Sequence, residues 1–137
     1  MKTTLTALTV FAGCTAVRRN LDLSACRETD RLGGHVRLKP LWNRGAAFGL
    51  PIPAEILPLA SAGALGALWA TRTKTCPIGA GLILGGGLSN LYERVRLGKV
   101  YDYLQFPKAP GPLRRYVFNL ADLAVLAGGA LCLRKGV

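Results

Sequence analysis

Apolar runs separated by polar, basic connections organise this chain. The first, Leu5 to Val17, is short and Thr-rich, with Lys2 before it and Arg18-Arg19 after it. The second, Ile52 to Ala70, carries a single acid, Glu55, near its start. The third, Ile78 to Tyr92, extends to Val95 if Glu93 and Arg94 lie at a water boundary, and the fourth, Tyr116 to Leu133, holds the acid Asp122. Set against the roughly 20 apolar residues of a spanning helix, the pattern predicts helices over about 3–17, 52–71, 77–95 and 116–134, within a single membrane domain covering 1–137. Pro51, Pro53 and Pro77 suit helix starts, where a missing N–H costs little, and Pro58 is expected to kink the second helix. Thr71 to Thr75 reads as a tight turn between antiparallel helices. Residues 18–51 are long, polar and Arg-rich, and residues 96–115 contain a Pro/Gly stretch. The expected fold class is mostly α: an integral membrane four-helix bundle with a short extended or β segment after the first helix.

Composition sharpens this picture. A chain of 137 residues, 50% hydrophobic and 18% charged, is one compact unit rather than a disordered tail, a collagen-like fibre or a repeat array. Its net charge of +11 points to nucleic acid or to an anionic membrane surface. Unbroken runs of Leu, Ala and Gly, without interleaved aromatics, favour phospholipid and disfavour nucleic acid. Seventeen glycines fit helices whose backbones approach closely. Cys14, Cys26, Cys76 and Cys132 have no ligand spacing and His35 stands apart from them, so neither a zinc site nor a disulfide framework is expected. Lys2 and Phe11-Ala12-Gly13-Cys14 also resemble a lipoprotein signal ending at Cys14. Phe11 is unusual at that position, and a short spanning helix is preferred. Charge counting sets the basic connections inside and the N-terminus outside.

Ionisable residues in apolar runs are expensive and mark candidate sites. Asp122 is placed about two turns into the fourth run, with Asn119 on the same face; the pair reads either as a site or as polar glue between helices. On the third run Gly86, Asn90 and Arg94 form a polar, small-residue stripe, while Gly81 and Gly85 suit helix packing. Asp102, in Gly98-Lys99-Val100-Tyr101-Asp102-Tyr103, meets Asp122 if this stretch turns back towards the bilayer. Two carboxylates brought close cannot both ionise comfortably, so one keeps a proton. Such a pair can activate water and protonate a leaving amine. A lone acid at a loop edge is usually solvated, and spacing alone leaves both readings open.

Three motifs then resemble one family. Trp42-Asn43-Arg44-Gly45-Ala46-Ala47-Phe48-Gly49, Gly85 to Arg94 with Gly98 to Tyr103, and Phe118-Asn119-Leu120-Ala121-Asp122 are similar, in order and placement, to the motifs of signal peptidase II, the lipoprotein signal peptidase of bacteria. The resemblance covers roughly residues 40–133. It implies a multi-pass aspartic endopeptidase of the bacterial cytoplasmic membrane, with both termini inside and a periplasmic extended segment. Such an enzyme cuts prolipoproteins before a diacylglyceryl-cysteine near the outer face. By position, Asp102 and Asp122 would be the catalytic pair. Asn43, Asn90, Arg94 and Asn119 would support the pair and bind substrate, and Gly45 and Ala46 would let the substrate chain approach. The implied partners are the lipid-modified precursor and membrane phospholipid, with no metal or organic cofactor, and a monomer is the default.

The chain departs from the family pattern twice. Glu93 stands where an Asp is usual. In the first helix an Asp followed four residues later by Lys is expected, but Cys14-Thr15-Ala16-Val17-Arg18-Arg19 offers Arg18 or Arg19 for the Lys and no acid. That absence motivates an alternative: a non-catalytic relative acting as a membrane binding or interaction protein.

Overall fold

The computed structural model describes residues 1–23, 27–46, 52–72 and 76–134. Cys26, the Ala47-Phe48-Gly49 part of the first motif, Pro51 and residues 73–75 of the expected turn lie outside the described residues. Four helices, α1 (Lys2–Leu23), α2 (Leu57–Arg72), α3 (Pro77–Leu97) and α4 (Leu120–Arg134), alternate with strands β1 (Thr29–Arg31), β2 (Val36–Asn43), β3 (Val100–Gln105) and β4 (Val117–Phe118). The strands form one antiparallel sheet in the order β1-β2-β3-β4. The chain is thus mostly helical, and the single extended segment expected after the first helix is one part of a larger sheet.

Helix boundaries depart from expectation for local reasons. The first helix does not stop at Val17 but runs through Arg18-Arg19 to Leu23, bringing Asp22 in with a 3.5 Å contact to Arg18 one turn before it. The second begins at Leu57 rather than 52, so Pro58 sits in its first turn instead of kinking it. The fourth begins at Leu120 rather than 116, because Val117 and Phe118 are taken into the sheet. Asp122 accordingly lies in the first turn of α4, not two turns inside it. α3 starts at Pro77 as expected and ends on Gly98 in the left-handed region at φ 67°, a conformation that glycine adopts without a Cβ clash.

All four helices meet the sheet at the same end: α1 and α3 run into β1 and β3, while β2 and β4 lead to α2 and α4. Met1 and Arg134 are therefore at the other end. α3 is central. Its glycines bring backbones together, since a Cβ on Gly85 would stand 2.6 Å from the Ala7 carbonyl of α1, and one on Gly86 would stand 2.5 Å from the Ala121 carbonyl of α4. Among the described residues no helix is long and apolar enough to cross a membrane. α2 and α4 have 16 and 15 residues, about 22–24 Å at 1.5 Å per residue.

The sheet carries one irregularity of consequence. Leu38 pairs with Leu104 and Leu41 with Asp102, so β2 spends an extra residue at Lys39-Pro40. Proline has no N–H to give to a ladder, and a bulge is where a strand can hold it. The resulting register sets Asn43 opposite Val100. Residues two apart share a face, so Leu41, Asn43, Val100 and Asp102 stand on one side of the sheet. Trp42, Tyr101 and Tyr103 stand on the other, with ring centroids 4.8 Å (Trp42–Tyr101) and 5.9 Å (Tyr101–Tyr103) apart.

Candidate active site

Asn119 and Asp122 build the site's centre by a local rule. In the spacing Asn-x-x-Asp, the Asn119 Oδ1 accepts the Asp122 amide at 2.9 Å, and the Asp122 Oδ2 accepts the Asn119 amide at 3.0 Å. This reciprocal capping of α4 satisfies amides that the first turn leaves without partners. The acid is thereby anchored to backbone at the helix N-terminus, where the peptide dipoles favour negative charge.

The remaining contacts gather the other motif residues around it. Asn90 of α3 donates from Nδ2 to Asp122 Oδ1 at 2.8 Å. The Asn119 Nδ2 donates both to Asn90 Oδ1 and to Asp102 Oδ1, each at 2.9 Å. Asn43, at the end of β2, donates from Nδ2 to Asp102 Oδ2 at 3.2 Å, while its Oδ1 accepts the Gly45 amide at 2.8 Å in an Asx turn. Arg94 donates from Nη2 to the Gly45 carbonyl at 3.3 Å. Asp102 and Asp122 thus meet around Asn119, and Asn43, Asn90, Arg94 and Gly45 are drawn into the same cluster. Ala46 is buried beside them.

Asp102 is only 4% exposed. Burial, reinforced by the charge of Asp122, pushes its pKa up to about 7, against the opposing hydrogen bonds from Asn43 and Asn119. The Asp102 carboxyl therefore holds a proton through the mildly acidic range beside a second carboxylate.

Two compartments open onto this cluster. A cavity of about 420 Å³ is lined by the polar face of the sheet (Leu41, Asn43, Val100, Asp102), by Asn90, Arg94 and Asp122, and by Arg115 and Tyr116 of the segment before β4. A second, of about 310 Å³, lies between α2, α3 and α4 and is lined mainly by apolar or small side chains, among them Leu57, Ala64, Leu65, Ile83, Gly87 and Val125. They share Ala46, Asn90, Arg94, Phe118 and Asp122. The Arg94 Nε at this junction is buried with no hydrogen-bond partner among the described residues. Gly45 is not demanded by internal packing: a Cβ there would meet only the Asn43 Oδ1, at an ordinary 3.5 Å.

Three more residues hold or line the site, and of these Glu93 was noticed in the sequence only as a departure from a motif. The Tyr103 hydroxyl accepts the Leu120 amide at 3.1 Å and ties β3 to the start of α4. Glu93 accepts the Tyr101 amide at 2.8 Å. Arg115 reaches the cavity from a 3₁₀ turn over 111–115. Tyr103 stood in the sequence as the end of the Gly98 to Tyr103 motif, and nothing local marks Arg115.

The sequence matches the family described as "Signal peptidase (SPase) II" over residues 9–136. A lipoprotein signal peptidase of Nitrobacter hamburgensis is 40% identical over 112 residues, covering 69% of this chain and 68% of that protein. One of Methylocella silvestris is 39% identical over 92 residues, covering 67% of this chain and 49% of that protein. A solved structure described as "Bacterial membrane enzyme structure by the in meso method at 1.9 A resolution" superposes with a TM-score of 0.81 at 18% identity, over 98% of this chain and 92% of that one. At that identity the likeness is one of fold.

Proposed function

Since the chain belongs to the signal peptidase II family, a family of peptidases, we propose that it is an aspartic endopeptidase that removes the signal peptide from prolipoproteins, cutting before the diacylglyceryl-modified cysteine. The observation carrying this reading is the meeting of Asp102 and Asp122 around Asn119, where a polar and an apolar compartment join. In the reaction, the Asp122 carboxylate takes a proton from a water as that water attacks the scissile carbonyl. Asp102, still protonated, gives its proton to the carbonyl oxygen, so one group works as base and the other as acid. The proton gained by the base then passes to the leaving amine as the C–N bond breaks, and a hydroxyl proton of the tetrahedral intermediate returns to Asp102 as the carbonyl re-forms. The Arg94 guanidinium, at the junction of both compartments, supplies positive charge beside the carbonyl oxygen as charge develops there. Asn43, Asn90 and Asn119 hold the carboxyl groups before substrate arrives, so little reorganisation accompanies the chemistry.

The polar compartment suits an extended peptide, and the openness around Gly45 leaves room for its backbone. The apolar compartment suits the lipid-bearing part of the substrate, whose burial supplies binding without polar contacts. We read the chain as a single multi-pass membrane domain with both termini inside and the sheet at the outer face. Supporting this are the common end at which all four helices meet the sheet, and outward-facing apolar side chains such as Leu8, Leu59, Trp69, Ile78 and Leu126. The exposed basic residues of the connections then lie among phospholipid head groups, and the catalytic unit is a monomer.

The test is cleavage of a lipidated precursor by the full chain in detergent. Asp102→Asn and Asp122→Asn are each expected to lower the rate by on the order of 10²–10⁴-fold while the protein still folds. Cleavage retained by both variants rejects the aspartic assignment, whereas a parent chain that does not cleave favours a non-catalytic binding role.

A further inference from the structure

Behind the cluster, on the side away from the cavity, an ionic chain, buried at Glu93 and open to the surface at Asp22, links α1 to the strand that carries Asp102. Glu93 is 5% exposed and lines neither compartment. Its Oε2 accepts the Tyr101 amide at 2.8 Å, and its Oε1 faces the Arg18 Nε at 3.6 Å. Arg18 reaches on to Asp22 at 3.5 Å. β4 pairs with β3 only at Leu104 and Gln105, so it does not cover the β3 edge at Tyr101. There the carboxylate of Glu93 stands in for a neighbouring strand. The held amide belongs to the residue immediately before Asp102, and Tyr103, immediately after, is tied through its hydroxyl to α4. The backbone before Asp102 and the side chain after it are therefore each pinned to a helix.

We propose that Arg18 and Glu93 are positioning residues: Arg18 aims and holds the Glu93 carboxylate, which sets where β3 places Asp102 relative to Asp122. This rests on the reading of the two aspartates as the catalytic pair. It also gives the first helix a part in the site despite its departure from the family pattern. A cation in α1 meets the acid of α3, and the acid accompanying that cation, Asp22, follows it by one turn instead of preceding it. The glutamate side chain is long enough to span from α3 to the strand amide and the guanidinium at once. A buried acceptor for a buried N–H cannot be removed without leaving that amide unpaired, and displacing a reacting group by about 1 Å costs on the order of 10²-fold in rate.

The test compares the full chain with Arg18→Met, Arg18→Lys, Glu93→Asp and Asp102→Asn, reading kcat and KM on a lipidated precursor peptide alongside thermal unfolding in the same detergent. Arg18→Met is expected to lower kcat by about 10- to 100-fold with KM changed less than about twofold. Arg18→Lys restores kcat to within about threefold because it keeps the cation. Glu93→Asp lowers kcat by about 10-fold, with its melting temperature close to that of the parent, because the shortened side chain keeps its charge but misplaces the amide. Wild-type kcat in both Arg18→Met and Glu93→Asp overturns the proposal. So does failure of lysine to rescue, which would make Arg18 a packing residue. Should Arg18→Met not fold, the lysine and aspartate variants decide in the same way. Asp102→Asn separates the two readings: if it cleaves normally the catalytic pair itself is wrong, and if it alone is inactive only the positioning role fails.

Discussion

α3 has two kinds of seam, and they differ in what they hold. Towards α4 the contact is backbone on backbone: a Cβ on Gly86 would stand 2.5 Å from the Ala121 carbonyl, and one on Gly128 would stand 2.5 Å from the Gly79 carbonyl. Towards α2 the helix meets side-chain ends, with Gly87 opposite the Leu65 methyl groups, while Gly63 and Gly66 of α2 face nothing within 4 Å. The closed seam carries Asn90 and Asp122, which must keep a 2.8 Å hydrogen bond between two helices. The open seam leaves the apolar compartment. Close packing thus accompanies the fixed Asn90–Asp122 distance and looser packing leaves the apolar compartment; on the proposed function the first serves the catalytic pair and the second the lipid-bearing substrate.

The most damaging way to break this contrast is to push the closed seam apart. Gly86→Val sets a branched side chain against the Ala121 carbonyl, where backbone has to move. Overpacking of this kind costs about 1–3 kcal/mol, and separating Asn90 from Asp122 lowers the rate by on the order of 10²-fold. Gly63→Ala is the control: with nothing within 4 Å of the new methyl group, activity and melting temperature stay at or slightly above those of the parent. Thermal unfolding and the cleavage assay read both, and an active Gly86→Val would mean that the seam does not set the site.

Filling the open seam acts on binding instead. Ala64→Leu occupies part of the compartment between α2, α3 and α4. KM is expected to rise by about 10-fold with kcat and stability unchanged, the signature of an interaction made equally in ground and transition states. A fall in kcat at constant KM would place the lipid elsewhere.

The smallest effect on rate is a pH response at Asp102. Burial and the Asp122 charge hold the Asp102 carboxyl near 7, well above the ordinary carboxylate value of 3.8. A native pKa above the unfolded one means that the folded protein keeps a proton the unfolded chain has lost. Stability therefore declines as pH rises from about 4 to about 7 and is level on either side. Activity on the same account loses its acid over that upper limb, and at pH 7 it is about half its value at pH 6. Asp102→Asn should flatten the stability profile over this window, which melting curves at pH 5 and pH 8 can check. An unchanged slope would mean that other groups carry it.

Much of the site was legible because its parts are local. Asn119 and Asp122 at a spacing of three form a capping box whichever fold surrounds them, and Asn43 with Gly45 form an Asx turn on the same terms. Read only as apolar periodicity, however, residues 116–119 belonged to a helix. That reading missed that Asn119 is the residue before the first turn, and it buried Asp122 too deeply. β4, a strand of two residues, has no period to detect and exists only through Leu104 and Gln105. The Pro40 bulge is predictable as a break in β2, but its effect, setting Asn43 diagonally across from Asp102, depends on a partner strand far along the chain. Arg18 and Glu93 were each noticed as departures from a pattern, and neither has a neighbour in sequence that points to the other.

By itself the sequence determined that four helices form and that one of them starts at Pro77, because apolar spacing and a missing N–H act over a turn or two of backbone. It also determined which polar residues were out of place in apolar surroundings. What only the tertiary structure decided was distance between elements: that Asp102 on a strand and Asp122 on a helix meet at Asn119. It decided too that Gly86 presses on a carbonyl while Gly63 presses on nothing. Two glycines are chemically the same until a second backbone arrives beside one of them, and no local pattern records which one that is.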